Sequence, residues 1–282
     1  MAFKIGFTAV HEEMQPSKYI YEAPAASTAP KKSVVQVAFP ERGQPLAYYN
    51  DRFDLRCGDI VYVDGKLEGQ RGRVVDVCYN FKIKVSDYQR VIAVADTQVQ
   101  GRFFLAGDHF ITFDRETLPY QQAILWFKAP DKEDEEIVSS NDDSTFPLAD
   151  LSKMGVDSVI AERGHRYYLE NRVKYLRLDG NRAQGIVTGS KPYEVEFTYE
   201  DGQISNLVCN CFCCYPCKHD FAVMLQLRET LKYIEDYYAS DFEAAKHFTI
   251  IHRETLFDIA VRGREKQLAE QKFEFTFGRN NT

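Results

Sequence analysis

One short segment, Cys209–His219, concentrates the side chains of this sequence that can bind or transform a ligand. It reads CNCFCCYPCKH and holds five of the seven cysteines. Thiolates and imidazoles are ligands that zinc prefers, and four protein ligands around the ion form a closed structural site with no open position for a substrate. The predicted ligands are Cys209, Cys211, Cys217 and His219.

The neighbouring elements allow the two ligand pairs to meet. Cys209 and Cys211 are two residues apart, so an extended strand directs both sulfur atoms to the same face. Cys217 and His219 come from a turn that leads into a helix, and a helix N-terminus favours a thiolate. The two pairs can therefore close on one ion.

The overall charge restricts where a nucleic acid could bind. The 282 residues include 35 Lys and Arg against 42 Asp and Glu, which gives a net charge of -7. Because nucleic-acid binders usually carry a basic domain or stripe, any such surface must be local. Apolar runs are too short to span a bilayer, and the N-terminus lacks the layout of a secretory signal. Crowded cysteines favour metal binding in a reducing compartment, so we expect a cytoplasmic protein without a membrane partner.

Short alternating runs dominate the first half of the chain. Residues 1–33 are predicted as an N-terminal extension, because EAPAASTAPKKS is rich in small residues and contains proline. Residues 34–130 alternate between apolar runs and Gly or Asp turns, which predicts a small antiparallel β-barrel. Within it, CGDIVYVDGKLEGQRGRVVDV resembles the KOW motif of SH3-like barrels. A generic barrel hairpin accounts for the same pattern.

An acidic stretch separates this half from the zinc segment. The sequence DKEDEEIVSSNDDSTFP is poor in apolar residues, so residues 131–150 are predicted as an acidic linker. The zinc domain is predicted over 151–239, and 240–282 is left as a C-terminal extension. The predicted fold class is α+β, with the barrel followed by a β-meander, a helix and the structural zinc site.

The zinc domain itself is predicted from three signals. A short helical segment opens it and ends at Arg163 and Gly164. The alternation in YEVEFTYE predicts a strand that is half buried and half wet, and Asp201-Gly202 predicts a hairpin turn after it. Apolar residues then recur at steps of three and four after His219, which predicts a helix packed on the sheet.

The spacing of the ligands resembles a known family. Cys-x-Cys, five residues and Cys-Lys-His followed at once by an apolar helix resembles the SWIM zinc finger, and the resemblance extends back to Arg163 through ERGHRYY and GSKPYEV. It implies Zn(2+) bound by the same four ligands. The family occurs in proteins associated with Swi/Snf-type helicase-like ATPases and is thought to bind nucleic acid or proteins, so the resemblance implies an interaction with no reaction attached.

Two further cysteines leave alternatives open. Cys213 and Cys214 stand where the family usually has polar residues, glycine or proline, and either could replace a ligand or be oxidised. Cys214 and Cys217 form a Cys-x-x-Cys pair, but no thioredoxin-like βαβ pattern surrounds it. The motif of a zinc deaminase is incomplete as well. A thiol redox or zinc enzyme is therefore the least favoured alternative.

Basic and aromatic residues precede the zinc segment. Lys and Arg contact phosphates, and tyrosine stacks on bases. The predicted nucleic-acid contacts are Arg163, Arg166, Tyr167, Arg172, Lys174 and Arg177. The alternative is that these are ordinary solvent-facing residues, because the three cations of the strand do not share one parity.

We therefore expect a non-catalytic zinc protein that binds DNA or RNA, a helicase-like ATPase, or both. The alternative is a pure protein-protein adaptor with two docking surfaces joined by the acidic linker, which the net charge of -7 favours mildly.

Overall fold

Two antiparallel sheets and four helices form the described part of the chain. The computed structural model describes residues 30–101, 103–131, 138–140, 143–213 and 216–261. The mixed composition of strands and helices confirms the α+β class. Residues 1–29 of the predicted N-terminal extension and residues 262–282 of the predicted C-terminal extension lie outside the described residues.

The first sheet has five short strands. They are β1 (Ser33–Ala38), β2 (Leu46–Asn50), β3 (Ile60–Val63), β4 (Arg71–Cys78) and β5 (Val91–Ala95), in the order β2-β1-β4-β3-β5. The closed barrel predicted here is wrong. A closed barrel would need continuous hydrogen-bonded pairing between the edge strands β2 and β5. Instead, Tyr49 of β2 forms one isolated parallel bridge with Arg90, the residue before β5.

The second sheet has eight strands. They are β6 (Phe103–Ala106), β7 (Phe110–Phe113), β8 (Thr145–Pro147), β9 (Val173–Asp179), β10 (Arg182–Thr188), β11 (Pro192–Glu200), β12 (Gln203–Cys209) and β13 (His247–His252). Their order is β6-β7-β13-β9-β10-β11-β12-β8. The segments predicted as barrel, acidic linker and C-terminal extension thus each contribute strands to this sheet, because pairing joins strands that are distant in sequence.

The helices lie on both faces of the large sheet. They are α1 (Tyr120–Ile124), α2 (Ser158–Leu169), α3 (Lys218–Ala245) and α4 (Arg253–Leu256), with 3-10 turns over Gly65–Leu67, Val85–Asp87 and Leu151–Met154 and a π-helical turn over Phe257–Val261. Among these described helices, none has the length and apolar character needed to cross a membrane.

The prediction that the first helix of the zinc domain ends at Arg163 and Gly164 is wrong. The carboxylate of Asp157 accepts a hydrogen bond from the backbone of Ile160 at 2.8 Å and caps α2, which then continues through the glycine. A Cβ atom on Gly164 would lie 2.7 Å from Cβ of Phe221 and 3.0 Å from a backbone carbonyl at the start of α3. The glycine therefore lets α2 and α3 approach closely.

Two apolar layers hold this arrangement together. Helices α2 and α3 cover one face of the large sheet, with Leu176, Val195 and Met224 buried between them. The other face packs against α1, α4 and part of the small sheet, around Trp126. The hydroxyl of Tyr62 in β3 donates a hydrogen bond to the Leu125 carbonyl at 3.0 Å, which ties the small sheet to this layer.

Candidate metal centre

The structure brings the four predicted ligands together. The ligand atoms of Cys209, Cys211, Cys217 and His219 all lie within 4.8 Å of one another. Nδ1 of His219 is 3.7 Å from the sulfur of Cys209 and 3.4 Å from the sulfur of Cys217. A tetrahedral ion with Zn–S bonds of about 2.3 Å and a Zn–N bond of about 2.0 Å separates nitrogen and sulfur by about 3.5 Å. The residues therefore fit a tetrahedral metal ion.

The first ligand pair lies at the end of a strand. Strand β12 stops at Cys209, so Cys211 sits in the loop that follows and not on a continuous strand as predicted. Asn210 holds this loop against β11, because its side-chain oxygen accepts a hydrogen bond from the backbone of Glu194 at 2.9 Å. The Asn210 backbone also donates to the Glu194 carbonyl at 3.1 Å. This role of Asn210 was not predicted from the sequence.

The second ligand pair opens α3. Cys217 is the N-cap residue, and its sulfur accepts a hydrogen bond from the backbone of His219 at 3.3 Å. In return, the carboxylate of Asp220 accepts from the backbone of Cys217 at 2.7 Å. This reciprocal capping box fixes the first turn of the helix and with it both ligands. The predicted turn and helix are therefore confirmed, while Asp220 was overlooked although its spacing from Cys217 is that of a capping box.

The surroundings of the cluster favour the uncharged forms of its ligand groups. The hydrogen bond with Cys209, together with burial, raises the pKa of Cys217. Burial raises the pKa of Cys211 to about 12. Burial, with a contribution from Lys218, lowers the pKa of His219 to about 4, so its imidazole is neutral. A neutral imidazole is ready to coordinate. The positive charge of a divalent cation would stabilise the thiolate forms of the three cysteines.

Aromatic rings fix the orientation of the histidine. The His219 ring stacks on Tyr193 with centroids 4.0 Å apart and an interplanar angle of 18°. Tyr167 meets the same ring edge-on at 5.5 Å. Nε2 of His219 is buried and has no hydrogen-bond partner among the described residues. Packing therefore sets the ring so that Nδ1 faces the sulfur atoms.

The other cysteines of the segment have different surroundings. Cys213 is exposed and does not belong to the cluster of four ligand atoms. Cys214 lies outside the described residues, so its predicted role as an alternative ligand stays a prediction.

Four of the six predicted nucleic-acid contacts lie beside the metal centre or on α2. Tyr167 and Arg172 lie beside the metal centre, with the guanidinium of Arg172 4.7 Å from the Tyr167 ring centroid. Arg163 and Arg166 are exposed on α2, the helix that also carries Tyr167.

The other two cations lie elsewhere. Arg177 forms an ion pair with Asp179 on β9. Lys174 lines a groove between the two sheets, near Glu254. Arg177 therefore lies apart from the surface beside the metal centre, whereas Lys174 lines the same groove as Lys191.

Four residues that are not among the predicted nucleic-acid contacts complete that surface. The ammonium of Lys218 is 4.7 Å from the Tyr167 ring centroid. The ammonium of Lys191 is 5.7 Å from the Tyr193 ring and 5.3 Å from the ring of Phe212, which is 94% exposed. We call the whole set the aromatic-basic surface, made of Tyr167, Arg172, Lys191, Tyr193, Phe212 and Lys218.

Comparison with known proteins assigns no activity. No family model matches the chain, and no solved structure matches it. An uncharacterized protein of Methanocaldococcus jannaschii is 34% identical over 82 residues, which cover 29% of this chain and 34% of that protein. The chain thus spans about a third of the length of this relative.

Proposed function

We propose that this protein is a non-catalytic, zinc-binding nucleic-acid-binding protein of the SWIM type. The observation that carries the proposal is a cluster of three thiols and one imidazole beside the aromatic-basic surface. Sulfur and imidazole ligands at tetrahedral spacing suit zinc, whereas magnesium and calcium prefer oxygen. Four protein ligands leave no open position for a substrate, which supports a structural role.

The ligands come from two different elements. Cys209 and Cys211 belong to the loop after β12, whereas Cys217 and His219 belong to the first turn of α3. When bound, zinc supplies a cross-link between these two elements. Because such a site does not exist in an unfolded chain, metal binding and local folding are coupled, with apparent energies on the order of 10 kcal/mol in zinc-finger peptides.

Local charge supports a nucleic-acid partner in spite of the net charge of -7. Within the described part of the chain, neither Lys191 nor Lys218 forms an ion pair, so both ammonium groups are available to phosphates. Arg172 is paired with Glu170 at 2.5 Å and contributes less. Lysines beside exposed aromatic rings provide the charge and stacking that nucleic-acid recognition uses.

The second candidate function is an adaptor that docks proteins only, such as a Swi/Snf-type helicase-like ATPase. The groove between the two sheets favours it, because this groove mixes cations with carboxylates. Among the residues that line it are Arg71, Lys128, Lys174, Glu41, Glu254 and Asp258. Such a surface suits a protein partner better than a polyanion. For either function we place the protein in the reducing cytoplasm, where thiolates are kept available for zinc.

Metal analysis and binding assays on the full chain test the proposal. Native mass spectrometry should find one zinc ion per chain. Fluorescence anisotropy with mixed-sequence DNA and RNA, single-stranded and duplex, should show binding at low salt that weakens steeply as salt rises. Absence of binding to every probe at low salt would refute the nucleic-acid function and leave the adaptor.

A further inference from the structure

An exposed aromatic ring stands next to the metal centre. Phe212 follows the ligand Cys211 directly, and 94% of its surface is exposed. Its ring therefore packs against little of the protein, and one whole face is free to stack. Because Cys211 is fixed by the metal cluster, the backbone that carries the ring is held at one point. Phe212 is thus a positioned aromatic platform.

Cations border this platform on the protein side. Lys191 lies between the rings of Phe212 and Tyr193, at 5.3 Å and 5.7 Å from their centroids. Lys218 lies over Tyr167, whose ring meets the ring of His219 edge-on. The two ammonium groups are thereby spread across the aromatic-basic surface, with the rings between them.

We infer that the aromatic-basic surface binds single-stranded nucleic acid, with a base stacked on Phe212 and phosphates contacting Lys191 and Lys218. This inference rests on the proposed function and specifies its ligand. A free base has two π-faces that can stack on an aromatic ring, whereas the bases of a duplex stack on one another and offer only their edges. An exposed phenylalanine flanked by lysines therefore matches a single strand better than a duplex.

The platform is tested by removing the ring. We expect Phe212→Ala to weaken binding to a labelled thymidine homopolymer of about 12 nucleotides by about tenfold, or ~1.4 kcal/mol, because stacking contributes that order of free energy per base. Phe212→Leu should show the same loss, since it keeps apolar bulk without the ring, and Phe212→Trp should retain binding. Tyr79→Ala removes another exposed aromatic side chain, directly after β4 of the small sheet, and should have no effect.

The cations are tested by the salt dependence. Lys191→Ala and Lys218→Ala should each lower the slope of log K against log salt by about 0.7, the value for one phosphate contact of a single strand. Lys232→Ala is the matched control, because this exposed lysine lies on α3 about 21 Å from Lys218 at 1.5 Å per residue. Its slope should equal that of the unmodified protein.

The outcomes separate the inference from the proposed function. Every variant is first assayed for zinc by native mass spectrometry. If Phe212→Ala and Phe212→Leu bind the homopolymer as the unmodified protein does, while the lysine variants bind more weakly, stacking is refuted and nucleic-acid binding stands. Tighter binding to a duplex than to the single strand also overturns the inference alone. If the unmodified protein binds no nucleic acid at low salt, both are overturned.

Discussion

The close contact between α2 and α3 leads to a prediction whose sign is decided by packing. Replacing a helical glycine by alanine on an exposed surface stabilises a protein by up to about 1 kcal/mol. At Gly164, however, the new Cβ would lie 2.7 Å from Cβ of Phe221 and 3.0 Å from the carbonyl oxygen of Lys218. Neither atom can rotate away, since one is attached to the backbone and the other belongs to it.

The expected size of the effect follows from these distances. Carbon atoms pack at about 3.5–4.0 Å, so α2 and the start of α3 must separate locally by about 1 Å. Overpacking of this kind costs about 1–3 kcal/mol, and the rigid backbone atoms favour the upper part of that range. After the gain in helix propensity, Gly164→Ala should lower the free energy of unfolding by about 1–2 kcal/mol.

Urea unfolding of the zinc-loaded chain measures this change, with Glu162→Ala as the control. Glu162 is exposed on the same helix, so its replacement should change the free energy of unfolding by less than about 0.5 kcal/mol. Gly164→Ala should also weaken zinc binding in a competition with a chelating dye, because the displaced carbonyl of Lys218 lies between two ligands. A Gly164→Ala protein that is more stable than the unmodified one would show that helix propensity outweighs packing, which contradicts the reasoning.

Three further predictions concern the metal and β13, an interior strand of the large sheet. Cys217→Ser and Cys217→Ala should both lose zinc in native mass spectrometry, and the serine variant should be about 1 kcal/mol more stable in urea because its hydroxyl still caps α3; full zinc content in either variant would refute the ligand assignment. Chelation of zinc should abolish nucleic-acid binding, measured by anisotropy, and added zinc should restore it; unchanged affinity after chelation would disconnect the surface from the metal. Burial, followed by the charge of Arg115, lowers the pKa of His247 to about 4 from an ordinary value of about 6.5, so the folded state binds fewer protons and its stability is lost as pH falls from 6.5 towards 4. His247 alone should lower the free energy of unfolding by about 2 kcal/mol between pH 7 and pH 5, and urea unfolding of His247→Gln should show a pH dependence smaller by that amount; an unchanged pH dependence would contradict it.

The metal cluster was accessible from the sequence because its determinants are local. The four ligands lie within eleven residues, and cysteine and histidine at this spacing have few other uses. The strand before them and the helix after them also carry local signals. Strand β11 is an example, since Val195 and Phe197 are buried while Glu196 is exposed, as the alternation predicts. The sequence did not predict the contact of His219 with Tyr193, because this stacking depends on how β11 and α3 pack.

The arrangement of the sheets was not accessible in the same way. The run FTIIH predicts a strand, but it does not indicate which strands pair with it. In the structure β13 lies between β7 and β9, which precede it by more than sixty residues in the chain. All six of its residues are buried, so it shows no alternation that would distinguish its faces. The prediction that a helix ends at Gly164 is wrong for a related reason. The close approach of this glycine to Phe221 is visible only in three dimensions.

The position of the metal cluster explains how an acidic protein can hold a local surface for an anion. Each ligand pair has a neighbour in the aromatic-basic surface: Phe212 follows Cys211, and Lys218 separates Cys217 from His219. Two of the surface residues, Phe212 and Lys218, therefore share one backbone segment with the metal ligands, so a metal ion that orders the ligands would also order the backbone of these two residues. Long surface side chains normally lose rotamer entropy when they bind a partner. Under the proposed function, part of that loss would already be incurred when a metal ion orders the segment, so more of the stacking and charge interactions would stabilise the complex.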